Sequence, residues 1–193
     1  MNFKAVLLFS MATLVSVAFF PAFQQIGTPV PATFKNAPQK TDHIQWMSLA
    51  EVEQALQKEK RKVIVILYSN SCGWCNRLER ETLQDENVIR YLNQKYYPIH
   101  FNAEEHEKVH FKGKEYKYVQ NGQKGYNQLA YELTGGRLSY PTYVFFDENL
   151  KLIQSIPGYK SPKDFQTIIK YFGDNFYKKM PWDTYLRQKN SAG

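Results

Sequence analysis

The chain has 193 residues, 43% of them hydrophobic, enough for one globular domain with material to spare, and it carries no tandem repeat or low-complexity tract. Its formal net charge is +7, yet no single element carries a stripe of lysine and arginine interleaved with aromatics, which speaks against nucleic acid as a partner. The dense basic run Lys58, Lys60, Arg61 and Lys62 reads as a solvated helix end, where cations complement the dipole.

Residues 1–4 supply a short positive start, and residues 5–20 are apolar and uncharged. This is the layout of a secretory signal peptide, spanning residues 1–23, with cleavage after Ala18 or near Ala32. Left uncut, residues 5–23 are nearly long enough for a membrane anchor. Either form implies an extracytoplasmic, periplasmic domain. Residues 24–42, with Pro29, Pro31 and Pro38, read as a linker. The domain proper is expected over residues 43–178, and residues 179–193 as a C-terminal extension.

Ser48-Leu49-Ala50-Glu51 is a capping box that opens a helix to about Lys60. Residues 63–67 are five apolar residues in a row, the pattern of a strand covered on both faces. A helix begins at or just after Cys72, and Asp85 caps another. Residues 97–101 form a strand, and residues 109–119 a hairpin or irregular excursion around Lys112-Gly113-Lys114. Residues 127–134 are helical until Gly135-Gly136 stops them. Residues 142–146 and 150–156 pair across a turn at Asp147-Glu148-Asn149. Ser161-Pro162 starts a long helix, and residues 180–187 a short terminal one. Alternating helices and strands that end in an antiparallel hairpin predict an α/β sandwich with a mixed central sheet.

The two cysteines, Cys72 and Cys75, are the only ones present. As a structural staple they would be poor, because a loop of two residues constrains little of the unfolded chain. As a metal clip they are incomplete, since a structural zinc site wants four ligands and no second CxxC exists. A copper or zinc carrier, or a plain binding module, stays open as the alternative reading. As a reactive pair they are well placed. A buried strand precedes them and a helix follows, so the first helical amides and the positive dipole end favour a thiolate. Residues i and i+3 share a helix face, so the two sulfurs can meet. Cys72, at the exposed end, is the expected attacker, and Cys75, one turn in, the resolving thiol.

From residue 43 to about 175 the chain resembles thioredoxin-fold proteins of the exported thiol–disulfide oxidoreductase kind. The resemblance rests on the strand at 63–67, the Cys72-Gly73-Trp74-Cys75 motif, "YPIHFN", and "SYPTYVFFDENLKLIQSIPGY". It implies that Pro141 is cis and packs beside the disulfide, and that Tyr140 offers backbone groups to an extended substrate. It also implies that Gly73 and Trp74 belong to the substrate-facing rim. It implies a protein-disulfide reductase acting through a mixed disulfide, fed by a membrane thiol relay, working as a monomer, with no cofactor beyond the Cys72–Cys75 pair and no metal.

The sequence departs from that family in three places. Ile66 stands where thioredoxins place an acid, and His100 stands where lysine is common, which makes His100 a candidate proton shuttle. Residues 106–124 form an insertion, counted here as following the third strand of the fold. The insertion contains His106-Glu107-Lys108-Val109-His110, a match to the zinc-protease pattern H-E-x-x-H. That chemistry needs a helix to project both imidazoles from one face, and the polar flanks with Gly113 close behind argue against one.

Overall fold

The computed structural model describes residues 41–191. The expected leader and nearly all of the linker lie outside the described residues. Ser48 caps α1 (Leu49–Lys58) as a capping box: its hydroxyl accepts from the Glu51 N–H at 3.2 Å, and its own N–H donates to the Glu51 carboxylate at 2.7 Å. β1 (Lys62–Tyr68) follows after a short break. Next come α2 (Gly73–Glu81), α3 (Glu86–Lys95) and β2 (Tyr96–Asn102). Two small hairpins come after these: β3 (Val109–Phe111) with β4 (Lys114–Tyr116), and β5 (Tyr118–Asn121) with β6 (Lys124–Asn127). The chain closes with α4 (Gln128–Leu133), β7 (Thr142–Phe146), β8 (Leu152–Pro157), α5 (Pro162–Gly173), a 3-10 turn at Phe176–Lys178, and α6 (Trp182–Ser191).

The central sheet has the order β2-β1-β7-β8. β1 and β2 run parallel, and the other pairs are antiparallel. Because β1 lies inside the sheet, its alternate residues feed two separate cores, which explains the unbroken apolar run. Ile64 and Ile66 face α2, α3 and α5, together with Leu78, Ile89, Tyr143 and Phe165. Val63, Val65 and Leu67 face α1 and α4 on the other side, where Phe111 and Tyr116 of the first small hairpin also pack. Tyr185 of α6 is buried in the first of these cores, against Tyr171 and Phe176.

Four expectations need correction. First, the basic run does not end a helix in water as a unit. α1 stops at Lys58, Arg61 sits 5.2 Å over the Tyr97 ring, and Lys62 starts β1 with 3% of its side chain exposed, paired with Glu148. Second, the insertion follows the second strand of the sheet. The segment before α1 touches β2 through the Met47 N–H to the Pro98 carbonyl, at 2.9 Å, but forms no strand. Third, the expected hairpin around Lys112-Gly113-Lys114 forms, but a second hairpin, β5–β6, carries the excursion beyond residue 119. Asn121-Gly122, a strong turn signal, joins its strands, and Gly122 takes the left-handed φ of 63° there. Fourth, the turn before β8 is longer than read. The Asp147 carboxylate accepts from the Asn149 and Lys151 N–H groups, and Leu150 adopts a φ of 57°, so pairing resumes at Leu152.

Candidate functional site

The last residues of β1 and the first of β7 lie side by side, with Leu67 opposite Thr142. The turn after β1 and the loop before β7 therefore meet at one end of the sheet. On the β1 side the turn is closed by the Cys72 N–H donating to the Ser69 carbonyl at 3.2 Å. Cys72 is the N-cap of α2, with extended φ and ψ of −92° and 103°. Its Sγ lies 3.0 Å from the Cys75 amide nitrogen, within hydrogen-bond reach. A thiolate here would be held by that amide and by the positive end of the helix.

Cys72 and Cys75 are joined as a disulfide, with their Cα atoms 5.2 Å apart. Cys72 is partly exposed, whereas Cys75 is 3% exposed. Attack from solution can thus reach Cys72 and not its partner. Between them, Gly73 leaves the mouth open, since an added Cβ there would meet nothing within 4 Å. Trp74 is 56% exposed. Its ring lies 5.6 Å from that of Tyr159, and the Arg77 guanidinium covers both rings at 5.6 and 4.8 Å. Arg77 in turn pairs with Glu81 at 2.9 Å, and the Tyr159 hydroxyl donates to Glu81 at 2.6 Å. The Tyr159 bond and then Arg77 hold the Glu81 carboxyl below its usual range. The rim beside the disulfide is therefore an ordered aromatic–guanidinium shelf.

On the β7 side the Tyr140–Pro141 bond is cis, as the resemblance implies. Pro141 is buried, and its carbonyl accepts from the Gly158 N–H at 2.8 Å. The Tyr140 phenol is half-buried, and burial, with a smaller effect from the Glu104 charge, pushes its pKa up to about 12.

His100 lies on β2 directly opposite Ile66 of β1. Its ring stacks between Trp46 and Tyr68, at 5.0 and 4.1 Å. Its Nε2 is 2.8 Å from Glu79 Oε1, an ion-pair approach that is out of line for a hydrogen bond. Glu79 was not read from the sequence as a site residue. Its position four residues after Cys75, on the same face of α2, was the available signal.

The second hairpin of the insertion also returns to the site. Lys124 donates to the Ser71 hydroxyl at 3.3 Å, and His106 stacks on Tyr118 at 3.8 Å. Gly125 permits this arrangement, because a Cβ there would come within 2.2 Å of the Tyr118 hydroxyl and 2.5 Å of the Val119 carbonyl. The H-E-x-x-H stretch is not helical: His106 lies in a loop and His110 on β3, beside Glu115. Among the described residues no group of three or more His, Cys, Asp or Glu side chains is placed to hold a metal.

The model of the thioredoxin-like domain matches residues 49–173, well over half of the chain. The chain belongs to the thioredoxin-like family. No curated protein matches it. Among solved structures, it is similar to a thioredoxin-fold protein from Helicobacter pylori, at 20% identity and a TM-score of 0.52, over 69% of this chain and 81% of that one. It is also similar to a thioredoxin from Thermus thermophilus, at 18% identity and a TM-score of 0.51, over 67% and 87% of the two chains. A DsbH oxidoreductase aligns at 13% identity with a TM-score of 0.48, over 70% and 88%. At such identities the likeness to the first two shows the fold. The thioredoxin-like fold together with the Cys72–Cys75 disulfide supports thiol–disulfide oxidoreductase chemistry. In this thioredoxin-like protein the strand acid of thioredoxins is absent, and the Glu79–His100 pair occupies the neighbouring strand and helix instead.

Proposed function

We propose that this thioredoxin-like protein is an extracytoplasmic protein-disulfide reductase. The observation that carries the reading is the contrast between the two sulfurs. Cys72 is reachable and sits at a helix N-terminus with an amide 3.0 Å away, while Cys75 is buried one turn in. In the reduced protein the Cys72 thiolate attacks one sulfur of a substrate disulfide. That S–S bond breaks, a mixed disulfide forms, and one substrate thiolate leaves. Cys75 then loses its proton and attacks Cys72, which releases the second substrate thiol and restores the Cys72–Cys75 disulfide. The substrate gains two electrons and the protein loses two. A membrane thiol relay returns them, consistent with the export pattern at the N-terminus. The pair itself is the only redox group the cycle requires, and one chain suffices for it. Gly73, Trp74, Tyr140 and Pro141 form the face on which the substrate strand lies.

His100, with Glu79 behind it, receives the Cys75 proton in the second step. No carboxylate stands at Ile66 to do so, and His100 lies on β2 directly opposite that position. His100→Ala should slow product release about tenfold at pH 7. The deficit should shrink as the solution is made strongly alkaline and the buried thiol ionises unaided. A deficit independent of pH would assign His100 to packing alone.

Equilibrating the protein with dithiol–disulfide buffers measures the potential that decides direction. A reductase should lie near about −270 mV, the thioredoxin value, whereas a value near about −120 mV would mark an oxidant and reverse the assignment.

A further inference from the structure

A second feature lies away from the cysteine pair. β8, α5, the 3-10 turn and α6 border an open cleft of about 890 Å³, within the range of small-molecule sites. Its floor is apolar: Ile153, Ile156, Tyr177 and Trp182 line it, partly exposed, above the buried Ile168 and Tyr171. Its rim is cationic, with Lys160, Lys163 and Lys189. Among the described residues Lys189 meets no acid where it crosses from α6 to α5. Its ammonium donates to the Thr167 hydroxyl at 2.5 Å, and that buried hydroxyl donates to the Lys163 carbonyl at 2.9 Å. The carboxylate in the lining, Asp164, sits in the first turn of α5 and accepts the Ser161 hydroxyl at 2.7 Å. The field agrees with this geometry. Burial, then the charges of Lys170 and Lys163, depress the Lys189 pKa, and burial depresses that of Lys160 against the opposing charge of Asp164.

Lysines commonly lay their stems over apolar surface and keep their heads in water. Here Lys163 and Lys189 stand at one concavity while the Lys160 ammonium is held by the Pro157 and Gly158 carbonyls at 2.8 and 3.2 Å, and the acid in the lining, Asp164, is already engaged with a helix terminus. A neutral apolar guest would leave that positive surplus in place, and a hydrophilic anion would leave the floor wet. We propose that this cleft binds a small anionic amphiphile, an acyl chain of roughly ten to twelve carbons ending in a carboxylate. The chain lies along Ile153, Ile156 and Trp182, and the head sits between Lys163 and Lys189. This site stands independently of the redox reading.

The test is calorimetric titration of the full chain with dodecanoate below its micellar concentration. One saturable site is expected. The double variant Lys163→Glu/Lys189→Glu should weaken it at least tenfold, and dodecyltrimethylammonium, the same chain with the opposite head charge, should bind at least tenfold more weakly. Ile153→Trp fills the floor while leaving both lysines, and should abolish binding even if the charge variant is disturbed. An unchanged redox titration of the Cys72–Cys75 couple reports that each variant is folded. No saturable binding, equal affinity for the two head charges, or full affinity in Ile153→Trp would overturn the proposal. Binding to vesicles of anionic phospholipid without binding of free dodecanoate would mark a membrane-facing surface and overturn it as well.

Discussion

Reduced protein carrying Cys75→Ser, offered a disulfide-bonded protein, should accumulate a covalent adduct on Cys72. The first displacement needs only the exposed sulfur, so it proceeds. The second needs the buried one, so the mixed disulfide persists. Cys72→Ser should give no adduct and lose at least about a thousandfold in exchange rate, because a hydroxyl at the helix N-terminus is not ionised and cannot replace the thiolate. The asymmetry follows from burial: Cys75 is 3% exposed, and Cys72 stands at the open mouth beside Gly73. Non-reducing electrophoresis with mass spectrometry of the adduct reads both results. An adduct on Cys75 in the Cys72→Ser protein would reverse the assigned roles.

The largest expected effect on stability lies at the opposite end of β1. Glu148→Ala should destabilise the fold by about 3 kcal/mol at neutral pH, since it leaves the ammonium of Lys62, 3% exposed, without its counter-ion. In urea this is a midpoint lower by about 2 M. Replacing both partners, as Lys62→Met with Glu148→Leu, should restore most of the loss, because the burial cost of the charge disappears with the pair. Burial pushes the Glu148 carboxyl up, but the hydrogen bond from Lys62 and its charge outweigh this and leave the group below its usual range. A depressed carboxylate contributes stability above its unfolded pKa and loses it as pH falls through the folded value. The gap between the parent and Glu148→Ala should therefore be full at neutral pH and close on acidification below the ordinary carboxylate range. A gap that widens in acid would show that the pair is not its source.

What the sequence disclosed was mostly local. The capping box at Ser48, the apolar run of β1, Asp85 and Ser161 as caps, and the Gly135-Gly136 stop each act within a few residues, and each appears where expected. The cysteine motif was legible for the same reason, since a strand, a turn and a helix start fit within a dozen residues. Pro141 became legible through the family resemblance. Long-range pairings were not readable. Lys62 looked like one more cation in a basic run, and its burial depends on β7 and the turn after it bringing Glu148 alongside, 86 positions away. His100 was noticed, but its partner Glu79 required both the β1–β2 register and the packing of α2 on the sheet. The return of Lys124 to Ser71, across 53 positions, likewise needs the second hairpin, of which only the Asn121-Gly122 turn is a local signal.

The account depends most on the ionisation of Cys72, and the direct measurement is the rate of its alkylation in the reduced protein across a pH series. With the amide of Cys75 and the start of α2 stabilising the anion, the rate should reach half its plateau at about pH 7 or below, with Cys75 unmodified. A midpoint near pH 8.5, the value of an ordinary thiol, or equal modification of both cysteines, would contradict it.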